Sequence, residues 1–181
     1  MPVALWYFWI YSFLGFLLER AFAAATHAPR QGRRCFLLLP LCPVYGLGML
    51  AVLALPPAWR EGPWLILSGG LAATAVEYAV HWAYERFLGV RLWDYARVRG
   101  NLRGRVCVPF SLAWGVLTAA AVWWVQPGVE ALAGAIPAGV TYLCLLLFSA
   151  DALLSARFLW VTHDIDALRS FSFQEKEPKR T

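Results

Sequence analysis

Charge is scarce in this chain: 15% of its 181 residues are Asp, Glu, Lys or Arg, 60% are hydrophobic, and the mean hydropathy is +0.55. Soluble domains carry about 25% charged residues to keep their surfaces wet, so the deficit excludes an ordinary soluble domain and makes lipid the solvent. No G-x-x-x-x-G-K-[ST] phosphate loop occurs, so any use of ATP requires a separate subunit. No Lys or Arg precedes the first apolar run, and Glu19-Arg20 stand just before Ala23-Ala24-Ala25; a cleaved signal peptide is therefore not expected, and the first helix stays. The four cysteines, at 35, 42, 107 and 144, form no C-x-x-C pair. With Cys35 and Cys107 at a reducing boundary, buried thiols are expected rather than disulfides. There is no low-complexity segment and no soluble domain.

What remains is apolar sequence in long runs. A membrane helix needs about 20 mainly apolar residues, and such runs lie at about 3–24, 36–57, 63–88, 106–126 and 131–157. The expected fold is all-α: one polytopic domain over 1–165 with five transmembrane helices, then a frayed tail over 166–181. Basic residues orient it. Arg30, Arg33, Arg34, six arginines from Arg86 to Arg105, and Arg157, Arg169, Lys176, Lys179 and Arg180 share one side, against Arg60 on the other. That places the amino terminus outside and the carboxyl terminus in the cytoplasm, in a multi-pass inner-membrane protein. The same basic face accounts for the net charge of +5 and attracts anionic lipid headgroups. A nucleic-acid partner is not needed to explain it.

Acids in hydrocarbon cost about 2.5–3.5 kcal/mol even on lenient insertion scales, so they turn toward protein or water. Glu77, His81 and Glu85 follow one another at four-residue spacing and form, with Thr74 and Tyr84, one polar stripe on the third helix. A packing network and a substrate or proton site both fit this stripe. A metal centre fits less well, because Glu and His four apart lack further ligands. In the first helix Tyr11, Ser12, Gly15 and Glu19 share a face, with Gly15 suited to close helix approach. Asp151 is expected to pair with an arginine.

In "PLCPVYGLG", residues 40–48, Pro40 and Pro43 remove backbone donors, so the helix either starts late or is broken. Broken backbone survives in a bilayer only against protein or a wet cavity. This makes Cys42, Pro43, Tyr45 and Gly46 a candidate binding wall, with a plain helix start as the alternative. The basic stretch before Cys107 also holds Trp93-Asp94-Tyr95 and Asn101, which topology alone does not require. It is expected to fold back on the helix ends as a plug; surface anchoring is the simpler alternative. Glu19-Arg20 and Glu85-Arg86, each followed by a basic loop, a proline and an aromatic-glycine pair, suggest two hairpins repeated in parallel.

These residues resemble the bacterial membrane family named putative ABC-transporter type IV, or CmpB-like permease. The resemblance rests on Tyr11-Ser12 with Gly15 and Glu19, Arg34 before Phe36-Leu37, Pro40-Leu41-Cys42-Pro43-Val44-Tyr45-Gly46-Leu47-Gly48, Glu77-Tyr78, Trp93-Asp94-Tyr95, Asn101 to Cys107, and Trp114-Gly115. It covers about residues 8–118. Cys35, Phe16 and Ala96 stand where the family usually has glycine, tryptophan and serine, so the contacts those residues make are in question here. The resemblance implies a multi-pass, permease-like subunit.

Three functions follow from these residues. The first is a permease-type subunit moving a small solute or lipid-like molecule past Glu19, Glu77 and His81, with Cys42, Pro43, Tyr45, Gly46, Trp93, Asp94, Tyr95, Asn101 and Arg105 lining or closing the path. Five helices form a thin wall, so a homodimer or heteromer is expected. The second is a non-catalytic scaffold or lipid-binding protein that uses the ten tryptophans and the basic face. The third is an intramembrane enzyme with Glu77 and His81 as acid and base, although the group that would orient a nucleophile is missing. No cofactor and no catalytic residue is assigned.

Overall fold

The structure, a computed structural model, describes residues 2–26 and 37–165. Its elements are α1 (Pro2–Ala25), α2 (Pro43–Leu53), α3 (Trp64–Ala83), a two-residue hairpin of β1 (Asn101–Leu102) and β2 (Val106–Cys107), α4 (Val108–Ala120), α5 (Gln126–Ala135) and α6 (Ala138–Thr162). Apart from that hairpin the architecture is helical. Three helices are long and apolar enough to cross a membrane: α1, the continuous Val108–Ala135, and α6. α3, shorter at 20 residues, is still long enough for one crossing, but its Glu77 and His81 lower its hydropathy.

The second apolar run departs from the expected helix over 36–57. α2 has 11 residues, about 16 Å at 1.5 Å per residue, roughly half the hydrocarbon thickness. Pro43 is its first residue, where a missing N–H costs nothing. Residues 37–42 are irregular, and three of their donors are met by other parts of the chain. Leu38 and Leu39 donate to the Asp151 carboxylate of α6 at 3.1 and 2.8 Å, and Cys42 donates to the Ser12 carbonyl of α1 at 2.9 Å. Asp151 is thus a backbone clamp among the described residues, not the arginine partner expected of it. Cys42, 2% exposed, is disulfide-bonded, which corrects the expectation of thiols throughout. Cys107 and Cys144 are free. Cys35, Arg34 and the tail from 166 lie outside the described residues.

The expected break between helices near 127–130 also moves. Pro127 cannot donate to the Trp123 carbonyl and crowds it, but the chain widens into a π-helical turn over Ala121–Val125 and stays helical to Ala135. The break comes at Ile136-Pro137, both extended.

Small residues set the packing. α2 lies between α1 and α3, and α4 lies against α3. A Cβ on Gly46 would stand 2.4 Å from the Phe8 carbonyl oxygen, and one on Gly115 would stand 2.5 Å from the Ile66 carbonyl oxygen. α1 is tied to α5 by Tyr11 Oη donating to Gln126 at 2.9 Å and to α6 by Trp6 Nε1 donating to Thr141 at 2.8 Å. The outward faces carry bare apolar side chains such as Leu71, Leu146 and Leu153, which suits a lipid surround.

Candidate functional site

α3 carries Glu77 and His81 into the protein, as four-residue spacing on one face requires. Glu77 is 0% exposed and His81 3%. The Glu77 carboxylate accepts from Trp114 Nε1 of α4 at 2.8 Å and from Tyr95 Oη at 3.2 Å. Each of these donors offsets part of the carboxylate's desolvation.

Tyr95 reaches Glu77 because the segment between α3 and α4 folds back on the helix ends. A π-helical turn over Tyr84–Leu88 continues α3, and Gly89, at φ +67°, caps it and lets the helix end abruptly. Further on, Asn101 donates to the Ala96 and Val98 carbonyls and accepts from Gly104 N–H, while Tyr95 N–H donates to the Gly104 carbonyl at 2.8 Å. This small knot presents Trp93 and Tyr95 inward and leaves Asp94 outside. Asp94 accepts from Ala96 N–H, an Asx turn, and makes no contact with the buried acids. Tyr95 also stacks on Phe110, with centroids 4.9 Å apart.

Around His81 four residues form a nearly closed circuit. His81 Nε2 lies 2.9 Å from the Trp93 carbonyl, and since a carbonyl only accepts, that nitrogen carries the proton. Trp93 Nε1 donates to the Arg105 carbonyl at 2.9 Å. The Arg105 guanidinium donates to Glu85 Oε2 through Nε at 3.2 Å and NH2 at 2.9 Å, and to Tyr78 Oη through NH1 at 2.8 Å. Its hydrogen bonds with Glu85 push the Arg105 pKa above its ordinary value. Arg91 donates to the other Glu85 oxygen at 2.9 Å. His81 Nδ1 faces Glu85 Oε2 at 4.0 Å and has no hydrogen-bond partner.

A second acid sits on α1. Tyr45 Oη of α2 donates to Glu19 at 2.7 Å, and a Cβ on Gly15 would meet the Tyr45 ring at 2.2 Å. Tyr45 and Trp114 then touch, with centroids 4.8 Å apart. Glu19, Tyr45, Trp114, Glu77 and Tyr95 therefore form one chain of contacts from α1 to the plug.

The same contacts occur twice. Gly46 of α2 abuts the Phe8 carbonyl of α1, and Gly115 of α4 abuts the Ile66 carbonyl of α3. Tyr11 packs with Met49, and Gly69 with Thr118. Tyr45 bonds Glu19, and Trp114 bonds Glu77. In every case the first helix of the pair is shifted by 58 positions and the second by 69. The repeat expected from the sequence exists in the contacts, but its acids correspond as Glu19 with Glu77, not Glu19 with Glu85.

A family model matches residues 6–156, spanning both hairpins, the plug and most of α6. The chain belongs to the family described as putative ABC-transporter type IV. No curated protein and no solved structure matches it. The match makes this type IV chain an ABC-transporter-related membrane protein. Among the candidates read from the sequence, Glu19, Tyr45, Glu77, His81, Trp93, Tyr95 and Arg105 come together in this type IV chain. Cys42 and Gly46 hold α2 against α1 and Pro43 starts α2, while Asp94 and Asn101 shape the segment between α3 and α4. Tyr78 was not foreseen as the second acceptor for Arg105, nor Asp151 as a clamp; their roles depend on which backbone and side-chain groups the fold brings within reach. Among the described residues no three His, Cys, Asp or Glu side chains gather as metal ligands.

Proposed function

We propose that the chain is a permease-like subunit that moves a small solute or lipid-like molecule through a multi-pass bundle in the inner membrane. It crosses five times with the amino terminus outside, the irregular 37–42 stretch and α2 together forming one pass. The observation that carries this reading is Glu77: a fully buried carboxylate in a lipid-facing bundle, joined through Trp114 and Tyr45 to the equivalent Glu19. An acid retained at such cost and duplicated in matched hairpins suits a pathway that two halves share. Trp93, Tyr95 and Arg105 close it from the basic side. ATP, if used, is hydrolysed by a separate subunit, and the basic face rests on anionic headgroups.

The exposed Arg97, Arg99 and Arg103 of the same segment favour a second reading, a scaffold that binds lipid without moving it. One experiment separates the two. The protein is purified gently from native membranes, and the bound proteins and small molecules are identified by mass spectrometry for wild type and Glu77→Gln. The permease reading expects the variant to keep its protein partner but lose the bound solute at least tenfold. Equal retention of both overturns it.

A further inference from the structure

Among the described residues three buried side-chain nitrogens have no hydrogen-bond partner, Trp9 Nε1, Arg60 Nε and His81 Nδ1, and of these only the imidazole nitrogen can take up a proton. His81 Nδ1 is enclosed, aimed at Glu85 Oε2, and too far from it at 4.0 Å for a hydrogen bond. Its ring is held by the Nε2 contact to the Trp93 carbonyl and by an edge-on contact with the Trp93 indole, centroids 5.1 Å apart. An imidazole fixed at one nitrogen and empty at the other is arranged to accept a proton.

We propose that His81 Nδ1 is a proton-binding site whose occupation closes the circuit His81, Trp93, Arg105, Glu85 and locks the 90–107 segment onto α3. A proton from solvent adds to the Nδ1 lone pair, giving an imidazolium with donors on both sides. Nδ1–H then donates to Glu85 Oε2, and Nε2–H, now charge-assisted, holds the Trp93 carbonyl more tightly. Trp93 and Tyr95 belong to the same knot, so the proton's effect reaches the donor that Tyr95 gives to Glu77. This inference rests on the plug in the reading above, but its readout is the plug itself and not transport.

Other titratable and charged groups surround the imidazole. On α3 and the turn after it these are Glu77, Tyr78, Tyr84 and Glu85; from the 90–107 segment they are Arg91, Tyr95 and Arg105; α4 contributes the uncharged Trp114. The end of α6, packed on the turn after α3, contributes His163, whose Nδ1 contacts the Leu88 carbonyl at 2.9 Å, and the neighbouring Asp164. Glu85, in the turn beyond α3, is held below the usual carboxylate range by its hydrogen bonds from Arg105 and then Arg91. It therefore stays anionic while an imidazole titrates, and the attraction has a fixed target. The sign follows: the latch tightens as pH falls and loosens as pH rises.

The test uses the full chain in lipid nanodiscs. Hydrogen exchange is read by mass spectrometry for the segment containing the Tyr95, Arg105 and Val108 amides, which are bonded within the loop or to it, and is corrected for intrinsic rates at pH 5.5 and 8. Wild type is expected to exchange about tenfold more slowly at pH 5.5, the effect of one added charge-assisted bond. Glu85→Gln and His81→Asn should abolish the difference, whereas His163→Asn and His27→Asn should keep it. If wild type shows no difference, or if the difference survives Glu85→Gln, the proposal is overturned. Should the buried variants fail to fold, ring ¹⁵N shifts of the wild type decide: Nδ1 becomes protonated between pH 8 and 5.5, or the proposal fails.

Discussion

At the scale of single residues, glycine sets how closely the helices approach. Adding a Cβ at Gly46 or Gly115 would put it 2.4 or 2.5 Å from a backbone oxygen of the facing helix, and backbone cannot swing aside as a side chain does. Overpacking of this kind costs about 1–3 kcal/mol. Gly46→Ala and Gly115→Ala should each lower the thermal midpoint of the purified protein by about 2–4 °C per kcal/mol lost. Gly128→Ala and Gly134→Ala, inside α5 with nothing within 4 Å, should not lower it and should raise it slightly through the better helix propensity of alanine. The stripe of Glu77, His81 and Glu85 was legible in the sequence because helical spacing alone puts those residues on one face. The choice of partners was not legible: Asp94 sits between Trp93 and Tyr95 in a knot whose alternation turns the two aromatics inward and the acid outward.

At the scale of elements, proline gave opposite results in two places. Pro43 marks a true helix start, because three of the six residues before it, Leu38, Leu39 and Cys42, donate to acceptors on α6 and α1. Pro127 marks no boundary, because one π-helical turn absorbs its missing bond and its bulk. Local sequence does not distinguish these outcomes; the neighbouring elements do. Asp151 is the α6 group on which the first case depends, since its two oxygens take Leu38 and Leu39 N–H while Ser155 Oγ donates to one of them at 2.9 Å. Asp151→Ala should cost about 1–3 kcal/mol for the donors left bare and should raise amide exchange at Leu38 and Leu39 before anywhere in α3. Asp151→Asn, which keeps one acceptor, should fall between. Equal protection in all three proteins would rule out the clamp.

At the scale of the whole molecule, the two hairpins share contacts but not connections. Twenty-six positions separate Glu19 from Tyr45, and 37 separate Glu77 from Trp114. The 11 extra residues in the second connection give it the length to form the knotted plug that reaches Glu77. They also explain why Glu19-Arg20 and Glu85-Arg86, each followed by a basic loop, look equivalent along the chain although Glu19 and Glu77 are the equivalent acids in the fold. α2 runs back along α1 and α3 back along α2, so the turn bearing Arg60 and the segment bearing Arg97 lie at opposite ends of the bundle. Arginine crowds the second end and is nearly absent from the first, and positive charge stays where the chain is made. In intact cells an impermeant maleimide should therefore label Arg60→Cys, whereas Arg97→Cys should react only after the membrane is opened. Wild type, whose Cys107 is buried and whose Cys144 lies within α6, serves as the blank. Labelling of both variants from outside would place the plug and its arginines on the wrong face for a gate worked from the cell interior.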